Sequence, residues 1–210
     1  MRRSIIFSLF IIIIAFAIGA YFYPKMPDLM PMHWNAQGEI DAYWPKEFGL
    51  FFMPVLTLGL LGLFIGLPKI DPLRKNIEKF RYYYQGFMVV FVLFMFYLYV
   101  LSISSVWFSF SIIQALAPAF GLLFFYIGVL LEKSKRNWFI GFRTPWTLSS
   151  DKVWEATHKR GGMLFKICGI IALAGVFFPD HAIWLVVAPV IITAIYTFVF
   201  SYFEYKKTGK

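Results

Sequence analysis

Acidic residues are scarce in this sequence and cysteine is all but absent. Asp and Glu number 11 in 210 residues, against 20 Lys and Arg, and charged residues of both signs make up only 15% of the chain. A soluble domain carries roughly 25% charge. Hydrophobic residues reach 60% and aromatics 21%, which leaves too little polar surface to face water and excludes an ordinary soluble domain. The lone cysteine, Cys168, excludes an intramolecular disulfide and leaves the redox compartment unreadable. Enzyme signatures are missing too. There is no His-Glu-x-x-His, and neither Ser149 nor Ser150 has a histidine at a recognisable catalytic spacing.

What is present is a series of uncharged runs, each measurable against the roughly 20 apolar residues that cross a bilayer. Ser4 to Pro24 and Phe48 to Pro68 are one span each. Tyr82 to Leu131 is too long for one span and fits two, with the turn at the serine-rich stretch Ser102–Ser111, where Trp107 suits the interface. Gly161 to Pro179 is shorter and is interrupted by Lys166, which can snorkel from near the inner end. Ala182 to Phe203 is the last. The expectation is an all-α membrane protein with six transmembrane helices. The first run has a rival reading as a signal peptide, with Arg2-Arg3 ahead of it and Ala15-Phe16-Ala17 as a cleavage site. Its apolar stretch continues to Tyr23, which is anchor length.

Lysine and arginine set the orientation. With the N-terminus inside, every one of them except Lys25 and Lys46 falls in an inner segment or, for Lys166, near the inner end of a span. Both termini are therefore expected in the cytoplasm of a cell-membrane protein. This placement accounts for the formal net charge of +9 through anionic inner-leaflet lipid, so no direct nucleic-acid partner is needed. Pro54, Pro118 and Pro189 lie in similar settings in the second, fourth and sixth runs. That similarity suggests three helical hairpins; apolar helices also resemble one another without being repeats.

Two polar segments are long enough to carry a site. The outer loop, 25–47, contains Asn35-Ala-Gln-Gly38, which has turn chemistry, and Trp34, Tyr43 and Trp44, which suit the headgroup layer. It should fold back on the membrane surface. His33, Glu39, Asp41 and His181 are weak candidates for a divalent metal. The competing reading is local hydrogen bonding, with Asn35 and Asp41 fixing the turn and His33 pairing with backbone or a carboxylate. In the inner loop, 132–160, Gly141 and Pro145 break helix, and Arg143 stands alone among Trp138, Phe139, Ile140, Phe142 and Trp146. An arginine so placed can stack on rings or hold a carbonyl or phosphate oxygen. Ser149 or Ser150 then caps an interfacial helix, with Trp154 and His158 on one face, that is expected to end at Gly161-Gly162 before the fifth span. His158 on such a face reads more readily as a packed residue than as a catalytic base.

The inner-loop residues Asn137-Trp-x-x-Gly141-x-Arg143-Thr144-Pro145-Trp146-Thr147-Leu148, followed by Ser150-x-x-Val153-Trp154-x-x-Thr157-His158, resemble the signature of the SdpI family of bacterial and archaeal membrane proteins. The outer-loop residues Pro31-x-His33-Trp34-Asn35-x-x-Gly38-x-x-Asp41, with Lys46, resemble a module often joined to it, as do Ile70-Asp71-Pro72 and Asn76-Ile77. The resemblance implies an N-terminal two-span module over 1–81 and a four-span module over 82–210. It implies an immunity and signalling role without enzymatic turnover or a cofactor. An extracellular peptide toxin would be met outside and a small cytoplasmic repressor docked inside. On this reading the outer binding candidates are Pro31, His33, Trp34, Asn35, Gly38, Asp41 and Lys46. The inner ones are Asn137, Gly141, Arg143, Thr144, Pro145, Trp146, Thr147, Trp154 and His158.

Two other functions remain open from the residues alone. A small transporter or channel would usually keep ionisable groups within its spans. Here, Lys166 aside, the spans offer only Gln85, Gln114, Thr57, Thr193, Thr197 and serines, and Gln114 with Pro118 either lines a polar pocket or bonds a neighbouring helix. A membrane enzyme would have to use His33 with Glu39 or Asp41, or His158.

Overall fold

The structure, a computed structural model, describes residues 2–208; Lys210, counted above with the inner charges, lies outside them. The long uncharged runs become helices α1 (Arg2–Phe22), α2 (Lys46–Ile70), α4 (Arg81–Ser104), α5 (Ile112–Lys133) and α8 (Ala182–Thr208). These five form the segments long and apolar enough to cross a membrane. The turn between α4 and α5 falls where serines cluster, and Ser111 caps α5 by accepting the Gln114 N–H. A short α3 (Arg74–Lys79) follows α2, and a short α6 (Pro145–Ser149) precedes α7 (Asp151–Ala174). Helix α7 is long enough to cross but carries charge at Asp151, Lys152, Glu155, Lys159, Arg160 and Lys166. It is therefore not among the five.

Two expectations need correction. The fold is not wholly helical: Leu29–Trp34 (β1) and Ile40–Pro45 (β2) form an antiparallel hairpin. Its register is irregular between Pro31 and His33 and between His33 and Trp34, because Pro31 has no N–H for the ladder. Also, no separate interfacial helix precedes the fifth apolar run. Helix α7 runs through Gly161 and Gly162 without a break. The two glycines do not end the helix; they make room for its neighbours.

Helices α1, α2 and α4 pack together around Ile12, Leu61, Met88 and Val92, and around Ala15, Met30, Leu50 and Tyr99 nearer the hairpin. Helices α5, α7 and α8 form a second group around Ala117, Ala172 and Val186, and α4 also packs on α5. The α5–α7 contact is the most intimate. A Cβ on Gly128 would lie 2.5 Å from the Gly162 carbonyl oxygen, and one on Gly162 would lie 2.6 Å from that of Gly128. Gly169 and Gly121 repeat the arrangement one heptad along, with 2.6 Å from a Gly169 Cβ to the Gly121 oxygen. Small residues let backbones approach to dispersion contact where lipid offers no hydrophobic drive. Lys166 of α7 meets Glu132 at the end of α5 at 2.6 Å, so the snorkelling lysine finds a carboxylate partner on the neighbouring helix.

Candidate functional site

The side chains singled out above gather at the two ends of the bundle. At one end, which carries the lysines and arginines of the α2–α4 and α5–α7 links, the site is built from the short α2–α4 link upward. Pro72 stops α2, and Asp71 beside it is 2% exposed. Its Oδ1 accepts the Leu73 N–H at 2.6 Å and its Oδ2 accepts the Trp138 N–H at 2.9 Å. The Asn76 amide donates to the Arg136 carbonyl at 2.9 Å. Two polar side chains of the first half thus hold the loop of the second.

Asn137 organises that loop. It is fully buried. Its Nδ2 donates to the carbonyls of Lys135 and Ile140, both at 2.9 Å, and its Oδ1 accepts the N–H groups of Phe139 and Ile140 at 2.9 and 2.6 Å. These four bonds use the full capacity of an asparagine amide. Gly141 has φ +118°, and a Cβ there would run into His158 Nε2. His158 accepts the Phe142 N–H through Nε2 at 2.9 Å, and its Nδ1 bonds the Trp154 carbonyl at 2.8 Å. A backbone N–H only donates and a carbonyl only accepts, so the ring is neutral with its proton on Nδ1. Its plane stacks on Trp154 at 3.9 Å between centroids. Burial pushes the imidazole down to about 4, against the opposing pull of the Trp154 carbonyl. With both nitrogens engaged, the ring is a structural post.

Pro145 does not merely break helix here. It opens α6 at the first helical position, where its missing N–H costs nothing. Thr144 caps α6 in a reciprocal box with Thr147, and its hydroxyl lies 3.0 Å from that of Ser201 on α8. Trp146 packs against Phe198 and Tyr202 of α8. Arg136 donates to the Leu148 carbonyl at 2.9 Å and pairs with Asp151 at 2.8 Å. Ser150 caps α7, as the sequence suggests. Among the signature residues, Asn137, Thr144, Thr147, Trp154 and His158 are buried, whereas Trp138, Arg143 and Pro145 are exposed. Arg143 donates to the Trp138 carbonyl at 3.1 Å, which leaves most of its guanidinium fork available. Beneath the loop, a cavity of about 350 Å³ opens between the two helix groups, lined by Phe64, Tyr84, Phe87, Phe139, Ile140 and Phe142 among others.

At the opposite end lies the β1–β2 hairpin. Asn35 builds its turn: Oδ1 accepts the N–H groups of Gln37 and Glu39 at 3.0 and 2.9 Å, and its amide donates to the Glu39 carboxylate at 2.9 Å. Gly38 takes φ +81°, and its Cα side faces Ile112 and Ile113 of α5. Met30 is buried against Gly49 of α2, where a Cβ would meet its sulfur at 2.8 Å. Lys46 holds Asp28 at 3.0 Å. The hairpin therefore lies across the helix ends from α2 to α5. It displays the His33–Asp41 pair, 2.5 Å apart, together with Tyr43 and Trp44, all exposed. Pro31 is buried and Trp34 half-buried. Among the described residues, no three His, Cys, Asp or Glu side chains gather as a metal site. His33 and Glu39 have the local partners named above, and His181 sits in the separate turn before α8. Gln114 bonds the Val176 carbonyl at 2.6 Å, tying α5 to the far end of α7.

Several of these residues gave little sequence signal. Arg136 with Asp151, Glu132 with Lys166, and Ser201 with Thr144 are partners across distant segments. Only opposite charges flanking the loop hinted at the first two.

Residues 133–201 match the model of the SdpI/YfhL protein family. This region is similar to the SdpI family. Residues 10–58 match a domain of unknown function, DUF1648. The first region covers the loop network, α7 and most of α8, and the second covers the latter part of α1, the hairpin and the first half of α2. The chain is also similar to the Immunity protein SdpI of Bacillus subtilis (strain 168), at 26% identity over 212 residues, covering 99% of this chain and 98% of that protein. No solved structure matches. The five apolar helices and these likenesses together support a membrane protein.

Proposed function

We propose that this chain is a membrane immunity protein that protects the cell carrying it from a secreted peptide toxin and acts by binding, without turnover. The observation that carries the proposal is the near full-length likeness to an immunity protein, which spans both halves of the chain. In this reading α7 also crosses, as the fifth of six spans, the hairpin end faces outward, and both termini lie in the cytoplasm with the basic end. The toxin meets the exposed aromatic and ionic face of the hairpin, Tyr43, Trp44 and the His33–Asp41 pair. A small cytoplasmic repressor docks on Trp138, Arg143 and Pro145. The buried residues between them give a rigid frame.

Expression in a strain sensitive to such a peptide tests the proposal. Survival should rise with the wild-type chain and fall with Tyr43→Ala/Trp44→Ala at equal membrane abundance. No protection by an abundant, folded wild-type chain would overturn the immunity reading. Loss of a toxin-dependent co-purifying repressor on Arg143→Glu, with protection retained, would separate docking from immunity.

A further inference from the structure

About half of the described basic side chains at the basic end have a partner in the fold, while others, such as Lys135, Lys152 and Lys159, have none. Arg136 pairs with Asp151, Lys166 with Glu132, Lys207 with Glu204, and Lys79 donates to Asn76. Around one opening of about 460 Å³, between the end of α2 and α3, several cations gather. Lys69, Arg74, Lys75 and Arg81 line it, and Glu78 is the single acid there. Glu78 is occupied by Arg81 at 2.8 Å. The side chains of Lys69, Arg74 and Lys75 have no partner among the described residues. The remaining wall is apolar, Ile65 and Pro68. It continues along the same side of α2 to Leu58, two turns back from Ile65 and 44% exposed.

We infer that this opening is a binding site for the headgroup of an anionic phospholipid. Three chemical requirements meet there. A phosphodiester needs cations that are not already neutralised, and an arginine fork holds one through two parallel bonds. A lipid needs an apolar wall leading from the headgroup to its chains, which the exposed side of α2 supplies. The site must also sit where an apolar span ends, and Lys69 and Tyr82, the latter 81% exposed, mark that level. A free phosphate would need the cations but not the wall. Several cations around one opening suit a headgroup with two phosphates best, because each phosphate can engage its own pair.

The test uses the full-length protein in phosphatidylcholine nanodiscs with or without cardiolipin. Retained cardiolipin is counted by native mass spectrometry after detergent extraction, and thermal unfolding is followed in parallel. Wild type should retain cardiolipin and unfold at a higher temperature with it. Lys69→Gln/Arg74→Gln/Lys75→Gln should lose at least about ten-fold in affinity, since each juxtamembrane cation is worth about 1 kcal/mol. Lys75→Glu, one substitution at an exposed position of α3, should lose part of it, and this keeps the test decisive if the triple variant does not fold. Lys69→Arg/Lys75→Arg should keep it. Lys135→Gln/Lys152→Gln/Lys159→Gln removes the same charge elsewhere on the basic end and should bind as wild type. Equal loss in that control would overturn the site in favour of a diffuse basic surface. Unchanged binding in the first triple variant and in Lys75→Glu would overturn it outright. Inorganic phosphate alone matching the stabilisation and displacing cardiolipin would show a free-anion site instead.

Discussion

His158 is held at both nitrogens, and its titration has a calculable effect on stability. Its folded pKa of about 4 lies below the ordinary 6.5. Between those values the unfolded chain binds a proton that the folded chain refuses. Stability therefore falls as pH drops from about 6.5 to about 4, with a slope of up to about 1.4 kcal/mol per pH unit from this group. His158→Gln keeps a donor and an acceptor but does not titrate. Its melting temperature in detergent should lose this part of the acid slope, and an unchanged slope would contradict the assignment. Asp71→Asn is a second residue-scale test. Asp71 accepts two backbone N–H groups with two oxygens, and an asparagine has only one acceptor to offer. One buried N–H is stranded, at about 1–3 kcal/mol. Limited proteolysis should then cut faster between Ser134 and Thr144. The pairing of Trp154 with His158 was readable in the sequence because residues four apart share a helix face. The role of Asp71 was not, since Trp138 comes to it only through the tertiary fold.

At the scale of elements, α5 and α7 depend on glycines at matching heights. Gly128→Val or Gly169→Val would force the helices apart, because the nearest atoms are backbone and cannot swing aside. A drop of more than about 3 kcal/mol is expected, comparable to severe overpacking, and fluorescence-detected size exclusion should show aggregation. Gly59, Gly62 and Gly66 of α2 meet nothing within 4 Å, so alanine there should leave the elution profile unchanged. Glycine content alone does not distinguish these cases. For the same reason Gly161-Gly162 read as a helix end: the sequence carries the absence of a side chain but not the neighbour that needs it absent. The hairpin was hidden by a different cause. Its strands are short, Pro31 interrupts the ladder, and only the Asn35–Gly38 turn announced itself. The long helices were legible because uncharged length is a local property.

Over the whole molecule, two helix groups are joined along α4 and α5 and bolted at the basic end by Asp71 and Asn76. Cys168 is the single cysteine and is buried, so replacing it with alanine gives a background for labelling. In sealed vesicles of known sidedness, Tyr43→Cys and Lys75→Cys should react with an impermeant maleimide from opposite sides, Tyr43→Cys from outside. Reaction of both from one side would refute the proposed crossing pattern. The ionic character of α7 has a further consequence in biogenesis. A lysine costs a translocon about 2.5–3.5 kcal/mol at the centre of an isolated segment and less towards its end, and α7 carries Lys166 near the inner end of its apolar run with Lys159 and Arg160 just before it. Helix α5, already in place, offers Glu132 and a glycine-lined seat. In the proposed six-crossing arrangement the order of synthesis then matters: α7 would partition into the bilayer as the partner of a helix made before it, so a defect in α5 would strand α7 at the translocon before any folded bundle exists.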